Sequence, residues 1–256
     1  MFGNSCVAMS CVKQRRKRWT IKIKIVPQLR RGHFGVILNA IRKMSYSDSL
    51  SFGLRRDLTT PFETPSASIP LIVRPLVDGD ISALLNMDAA DITSEGINER
   101  WQRLQLLKAD IPTCYVAVTP SHAPCCMQWL IMPSENDNVQ SYFGGLFPRL
   151  APDEALLEGA FTSETHRGQR IMSCAMAQIA KKAEDFGARW AITFVSHDNI
   201  PSLKGCKRAG FIPFLIRKEK WRLFRRRVTF TPLPAGTAYP LDVEQATGKR
   251  RVNSLN

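Results

Sequence analysis

The chain is 256 residues long, carries a formal net charge of +14 at pH 7, and is 44% apolar. That length suits one domain with extensions or two small ones, and the apolar content suffices for a packed core. No run of about 18 apolar residues is present, so no membrane-spanning helix is expected. The seven cysteines are scattered, odd in number and without a C-x-x-C pair, which suits a reduced, cytoplasmic compartment better than a disulfide framework. His122, Cys125 and Cys126 lack a second ligand pair, so no metal is expected. The basic cluster follows the mildly apolar first residues, the reverse of a secretory signal. The charge favours contact with anions such as nucleic acid, anionic lipid or a phosphate-rich co-substrate; solubility with a basic tail is the plainer alternative.

Residues 1–66 read as a basic N-terminal extension holding thirteen of the 36 Lys and Arg residues. Within it Trp19–Val26 alternates apolar and basic residues like a strand. Phe34, Ile37, Leu38, Ile41 and Met44 predict a short amphipathic helix flanked by Arg42 and Lys43. Such an arm suits an anionic surface, lipid or RNA, at the membrane periphery; a solvated extension with one helix is the simpler reading. Thr59–Pro70, rich in Pro, Ser and Thr, reads as a linker.

Leu71–Pro75 then predicts a strand, Asp78–Asp80 caps a helix from Ile81, and a second helix runs from Ser94 to Lys108 with Ile97, Trp101, Leu104 and Leu107 on one face. Cys114–Val118 and Cys126–Met132 predict an antiparallel pair. Pro133–Pro152 reads as a long loop with Tyr142 on it, either substrate-side or a simple connector. Ala155–Thr162 is a strand leading into Arg167-Gly168-Gln169-Arg170 and a helix from Ile171 to Phe186, closed by Gly187. Trp190–Val195 is apolar throughout, as a strand buried on both faces requires. Asn199 caps the next helix, which Gly210 ends. Ile212–Ile216 and Val228–Thr231 are further strands; between them Lys218–Arg227 is a second basic cluster with Trp221 and Phe224 interleaved. Residues 233–256 read as a polar tail.

From Ile72-Val-Arg-Pro75 through Thr162–Ile171 to Asp198-Asn199-Ile-Pro-Ser202 and Gly210-Phe211, the chain resembles the GNAT superfamily of N-acetyltransferases. The resemblance implies an α/β (α+β) fold across residues 67–232: a mixed, mostly antiparallel twisted sheet of six to seven strands flanked by helices. It implies acetyl-CoA, or another acyl-CoA, as co-substrate, with no metal. The family's acyl-CoA loop has the form Arg/Gln-x-x-Gly-x-Gly/Ala. Here Arg167 keeps the leading position, while Arg170 and Met172 replace both glycines. The resemblance assigns cofactor contacts to Ala160, Phe161, Thr162, Arg167, Gly168, Gln169, Arg170, Ile171, Met172 and Asn199. It makes Glu158 and Glu154 candidates for the general base, both on one strand face by period two. It places Cys206 where many relatives carry a tyrosine that protonates the leaving thiolate; a small buried helix residue is the alternative there.

The function expected is therefore an N-acyltransferase in which an amine attacks the thioester of acyl-CoA directly. The alternatives are a non-catalytic acyl-CoA-binding or interaction module and, further off, an RNA-associated basic protein. A homodimer is compatible with either of the first two.

Overall fold

The computed structural model describes residues 34–89, 92–109, 111–234 and 239. The chain divides into two compact units, residues 1–40 and 41–256. The strand-like stretch Trp19–Val26 and most of the polar tail lie outside the described residues. The expected amphipathic helix is α1, Phe34–Ser45.

Eight strands form one sheet: β1 Tyr46–Asp57, β2 Ile72–Pro75, β3 Cys114–Val118, β4 Pro124–Ile131, β5 Glu154–Thr162, β6 Trp190–Ser196, β7 Ile212–Arg222 and β8 Arg225–Pro232. Their spatial order is β2-β3-β4-β5-β6-β1-β7-β8. Every neighbouring pair is antiparallel except β5 with β6. The mixed, mostly antiparallel architecture agrees with expectation, with one strand more.

That extra strand corrects the expected boundary at residue 66. β1 lies inside the sheet, pairing with β6 from Ser51 to Asp57 and with β7 from Tyr46 to Arg55. Its Ser, Asp and Arg content hides the strand from a hydropathy pattern, yet Phe52 and Leu54 are buried. The Pro/Ser/Thr-rich stretch after it is no linker between domains. Phe62 lies so close to Gly210 that a Cβ there would come within 2.7 Å of its ring. Ala67, Ile69 and Leu71 pack on the core, and the Ser68 N–H donates to the Gln169 carbonyl at 3.0 Å. The stretch is a strap across the helices of one face.

Two apolar layers sandwich the sheet. On one face α5 (Ile171–Lys182) and α6 (Ile200–Arg208) cover Leu54, Ala117, Leu157, Ala191 and Val195. On the other, α2 (Asp78–Leu84), α3 (Ser94–Leu107) and α4 (Asn136–Phe143) cover Val116, Met127, Trp129, Leu156 and Ile192. α4 replaces much of the long loop expected over Pro133–Pro152. Asn136 fixes that excursion by exchanging hydrogen bonds with Leu150, its Nδ2 donating at 3.0 Å and its Oδ1 accepting at 2.8 Å.

Candidate functional site: a splay between two parallel strands

β5 and β6 pair only over Glu154–Leu156 and Trp190–Ile192. Both strands continue, β5 to Thr162 and β6 to Ser196, without pairing to each other. A V-shaped opening therefore widens toward their C-terminal ends, with no strand pairing across it. Because the two strands are parallel, the loops leading into α5 and α6 meet the same open end. This is where ligands sit in open α/β sheets, outside the carboxyl ends of parallel strands.

A β-bulge shapes the β5 lip. Trp129 pairs with Glu158 and Met127 with Phe161, so Gly159 and Ala160 together oppose Gln128 alone. Gly159 takes φ +67°, and a Cβ there would meet the Trp129 ring at 2.7 Å. Arg103 on α3 clamps the bulge, its Nη2 donating to the Ala160 carbonyl at 2.8 Å and its Nε to the Gly159 carbonyl at 3.3 Å. The bulge also breaks the expected period-two alternation. Glu154, Leu156 and Glu158 share a face with Phe161, not with Ala160.

The two carboxylates on that face differ in setting. Glu154 stands at the closed end, opposite Trp190, and its Oε2 accepts from the Ala151 N–H at 2.9 Å. It acts as a turn cap, about 13 Å along the strand from Glu158. Glu158 is half-buried at the start of the opening. Burial pushes its pKa up; the Gly159 N–H and the guanidiniums of Arg103 and Arg217 pull the other way without cancelling that effect. Arg217 reaches across from β7, its guanidinium stacked 5.0 Å from the ring of Phe194 on β6 and bonded to the Ser51 hydroxyl at 3.1 Å. Neither arginine makes an ion pair among the described residues. Both escaped the sequence reading: Arg103 lies off the helix face chosen from apolar spacing, and Arg217 borders a basic cluster that reads as surface.

The loop after β5, where the resemblance expects an anion seat, has its cations redistributed. Arg167 does not face the opening freely: its Nη2 pairs with Glu99 at 2.8 Å and its Nε donates to the Thr162 carbonyl at 3.2 Å. Glu164 pairs with the buried Arg100 at 2.7 Å, which moors the loop to α3. Burial opposes ionisation of Glu164, but hydrogen bonds from its own N–H and from Arg100 outweigh it and hold its carboxyl below the usual range. Gly168 has φ +80° and nothing within 4 Å of where a Cβ would stand. Arg170 takes the left-handed conformation, φ +59°, ψ +15°, a backbone shape that favours glycine. α5 then opens with no side-chain cap, which leaves the N–H groups of its first turn free of intrahelical partners. Met172 does not fill the seat: it turns inward, and a Cβ on Gly205 would meet its Cε at 2.2 Å. The Arg170 side chain is exposed, with no ion pair among the described residues.

The remaining expected contacts divide. Asn199 caps α6 as expected, its Oδ1 accepting from the Ser202 N–H at 3.2 Å, at the mouth of the splay. Gln169 sits in the moored loop, and Ile171 and Phe161 are buried in the core. The Thr162 hydroxyl donates to the Cys126 sulfur at 3.4 Å. Cys206 is a correction: it is buried between α6 and α5 with its Sγ 3.8 Å from Met176 Sδ, and burial pushes the thiol up to about 12. It cannot deliver a proton into the opening. Among the described residues no cluster of His, Cys, Asp and Glu is arranged to hold a metal ion.

No protein-family model matches the sequence, and no curated protein does. Solved structures that match include an acetyltransferase of the GNAT family from Colwellia psychrerythraea, 13% identical with a TM-score of 0.44 over 78% of this chain and 62% of that one. A GCN5-related N-acetyltransferase from Sphaerobacter thermophilus matches at 14% identity and TM-score 0.44, over 73% and 57% of the two chains. A fungal GCN5-related glucosamine N-acetyltransferase region matches at 13% and 0.49, over 75% of this chain and 23% of that one. The chain thus spans less than two thirds of the length of each of these three structures.

Proposed function

We propose that the chain is an acyl-CoA-dependent N-acyltransferase whose active site is the splay between β5 and β6. The observation that carries this reading is the loss of pairing after Leu156 and Ile192 while both strands run on. Two strand edges that no longer pair with each other suit a narrow, extended amide-bearing arm such as pantetheine. The open loop at Gly168, the uncapped start of α5 and the uncommitted Arg170 suit a diphosphate. Arg167 would then act by holding the loop to α3 through Glu99, with Arg170 supplying the charge. Bound acyl-CoA supplies an activated thioester carbonyl.

The chain's own groups divide the remaining work. An amine reacts only once it has lost its extra proton, and Glu158 is the carboxylate on the lip of the opening that can take it. Its raised pKa brings it nearer to neutral pH, where a general base works best. Arg103 positions the bulge that carries Glu158, and Arg217 faces the carboxylate from the β6 side. With Cys206 buried, the leaving thiolate departs without acid assistance from that position.

The test is acetyl-CoA added to the full chain. Acetyl-CoA should raise the unfolding temperature, and a panel of amines should include one that draws free thiol from it. Absence of both effects rejects the reading. A second reading, favoured by the commitment of Arg167 to Glu99 and by the burial of Cys206, is a module that binds acyl-CoA without transferring it. Thermal stabilisation with no thiol release from any amine would select that one.

Arg170→Gly separates backbone from charge. It should raise the unfolding temperature, because glycine relieves about 1 kcal/mol of left-handed strain. It should also weaken acetyl-CoA binding about 5- to 10-fold by calorimetric titration, through loss of a charge-assisted contact to phosphate. Unchanged affinity would remove Arg170 from the seat.

A further inference from the structure

The β7–β8 hairpin breaks three local rules at once. Its two-residue loop is Leu223-Phe224, with φ +48° and +62°, where Asn-Gly is the favoured pair. Those two large apolar side chains are 81% and 51% exposed. Register pairs Lys220 with Arg227 and Arg222 with Arg225, so like charges stand directly opposite each other. With Lys218 they place five basic residues on one face of the outermost strands. Only Arg222 has a close acidic partner among the described residues, Asp48 at 2.8 Å.

Backbone demands do not account for the tip. The Leu223 and Phe224 N–H groups donate to the Ser45 and Met44 carbonyls at 2.8 and 2.9 Å, which fixes the left-handed turn. Asn-Gly would make the same bonds with less strain. The side chains therefore have another role. The aromatic ring paired with the basic face, Tyr46, already has the Arg222 guanidinium stacked on it at 3.9 Å, and Trp221 lies on the opposite face, its Nε1 donating to Glu219 at 2.8 Å. That argues against single-stranded nucleic acid. An apolar tip beside a basic face matches an anionic bilayer, with hydrocarbon for Leu223 and Phe224 and acidic headgroups for the Lys and Arg residues. Among the described residues no helix is long and apolar enough to cross a membrane, so this contact would be peripheral.

We infer that the β7–β8 tip, Leu223-Phe224 with Lys218, Lys220, Arg225 and Arg227, docks the protein on anionic lipid bilayers. The test is sedimentation of the full chain with phosphatidylcholine vesicles, with and without phosphatidylserine. The parent protein should bind the anionic vesicles and lose them in high salt. Leu223→Asn/Phe224→Gly, which gives the turn its preferred residues, should unfold at the same or a higher temperature and bind at least about tenfold more weakly. In a separate Phe224→Trp variant, the emission added over that of the parent's five tryptophans should shift to the blue on anionic but not on neutral vesicles. Equal vesicle affinity of the Asn-Gly variant, as binding through the basic N-terminal residues alone would give, overturns the inference. So does an unmoved emission in Phe224→Trp, and so does binding to polyuridylate with no vesicle binding.

Discussion

Replacing Glu158 by glutamine is expected to lower turnover about 10²- to 10⁴-fold with acetyl-CoA affinity little changed, the range for loss of a positioned general base. The amide keeps the size of the side chain and its place beside Arg103 and Arg217, but cannot accept the proton. The pH dependence follows from burial, which raises the Glu158 pKa against the pull of its neighbours. In the parent protein, kcat/KM should fall on the acid side as Glu158 is protonated, at a pH above the ordinary carboxylate range. Stability moves the opposite way. An unfolded glutamate titrates near about 4.3, and the folded group holds its proton to higher pH. Between those two values the unfolded state ionises first, so stability drops as pH rises, and the penalty is fully present above the folded value. Glu158→Gln should match the parent below that interval and exceed it in unfolding temperature above it. Parental turnover in this variant would remove Glu158 from the mechanism; a lower unfolding temperature at neutral pH would show that the carboxylate serves the fold.

Gly159→Ala should give the largest loss of stability of any single methyl added near the opening. The position needs a left-handed backbone, φ +67°, and the new carbon would lie 2.7 Å from Trp129 Cε3 and 2.9 Å from Leu106 Cδ2. Left-handed alanine costs about 1 kcal/mol and overpacking about 1–3 kcal/mol more. At roughly 2–4 °C per kcal/mol for a domain of this size, thermal unfolding should fall by about 5–15 °C. Gly168→Ala is the control, since φ is +80° there but the surrounding space is open. It should cost only the conformational part, about 1 kcal/mol. Equal losses in the two variants would mean that the packing of Trp129 against the bulge contributes nothing. Where Gly159→Ala remains folded, turnover should drop well over tenfold, because a shift of about 1 Å in the lip misplaces Glu158.

Apart from α4, which lies in a stretch read as a loop, the helices and the buried strands were legible because their signals are local. Apolar runs announce β3, β4 and β6, and Asn199 with Pro201 announces α6. β1 was not legible, since a strand rich in Ser, Asp and Arg draws its burial from β6 and β7, more than 130 residues away in sequence. The site divides along the same line. Glu158, Asn199 and the Arg167–Met172 loop stand out from the resemblance. Nothing local says that Arg167 spends its charge on Glu99, that Met172 turns toward Gly205, or that Arg170 adopts the shape of a glycine. Those outcomes depend on α3 and α6, which meet the loop only in three dimensions. Glu154 and Cys206 show the reverse, residue types suited to the chemistry in places where a turn and a core claim them.

β1 is synthesised early and paired late. The 132 residues between Asp57 and Trp190 take roughly 7–30 s to make at about 5–20 residues per second. Until β6 and β7 have emerged, both edges of the strand wait on the nascent chain, open to capture by any extended segment nearby. Ser47, Asp48, Ser49, Ser51, Arg55 and Arg56 make that wait survivable, because a strand of this polarity is a poor seed for aggregation.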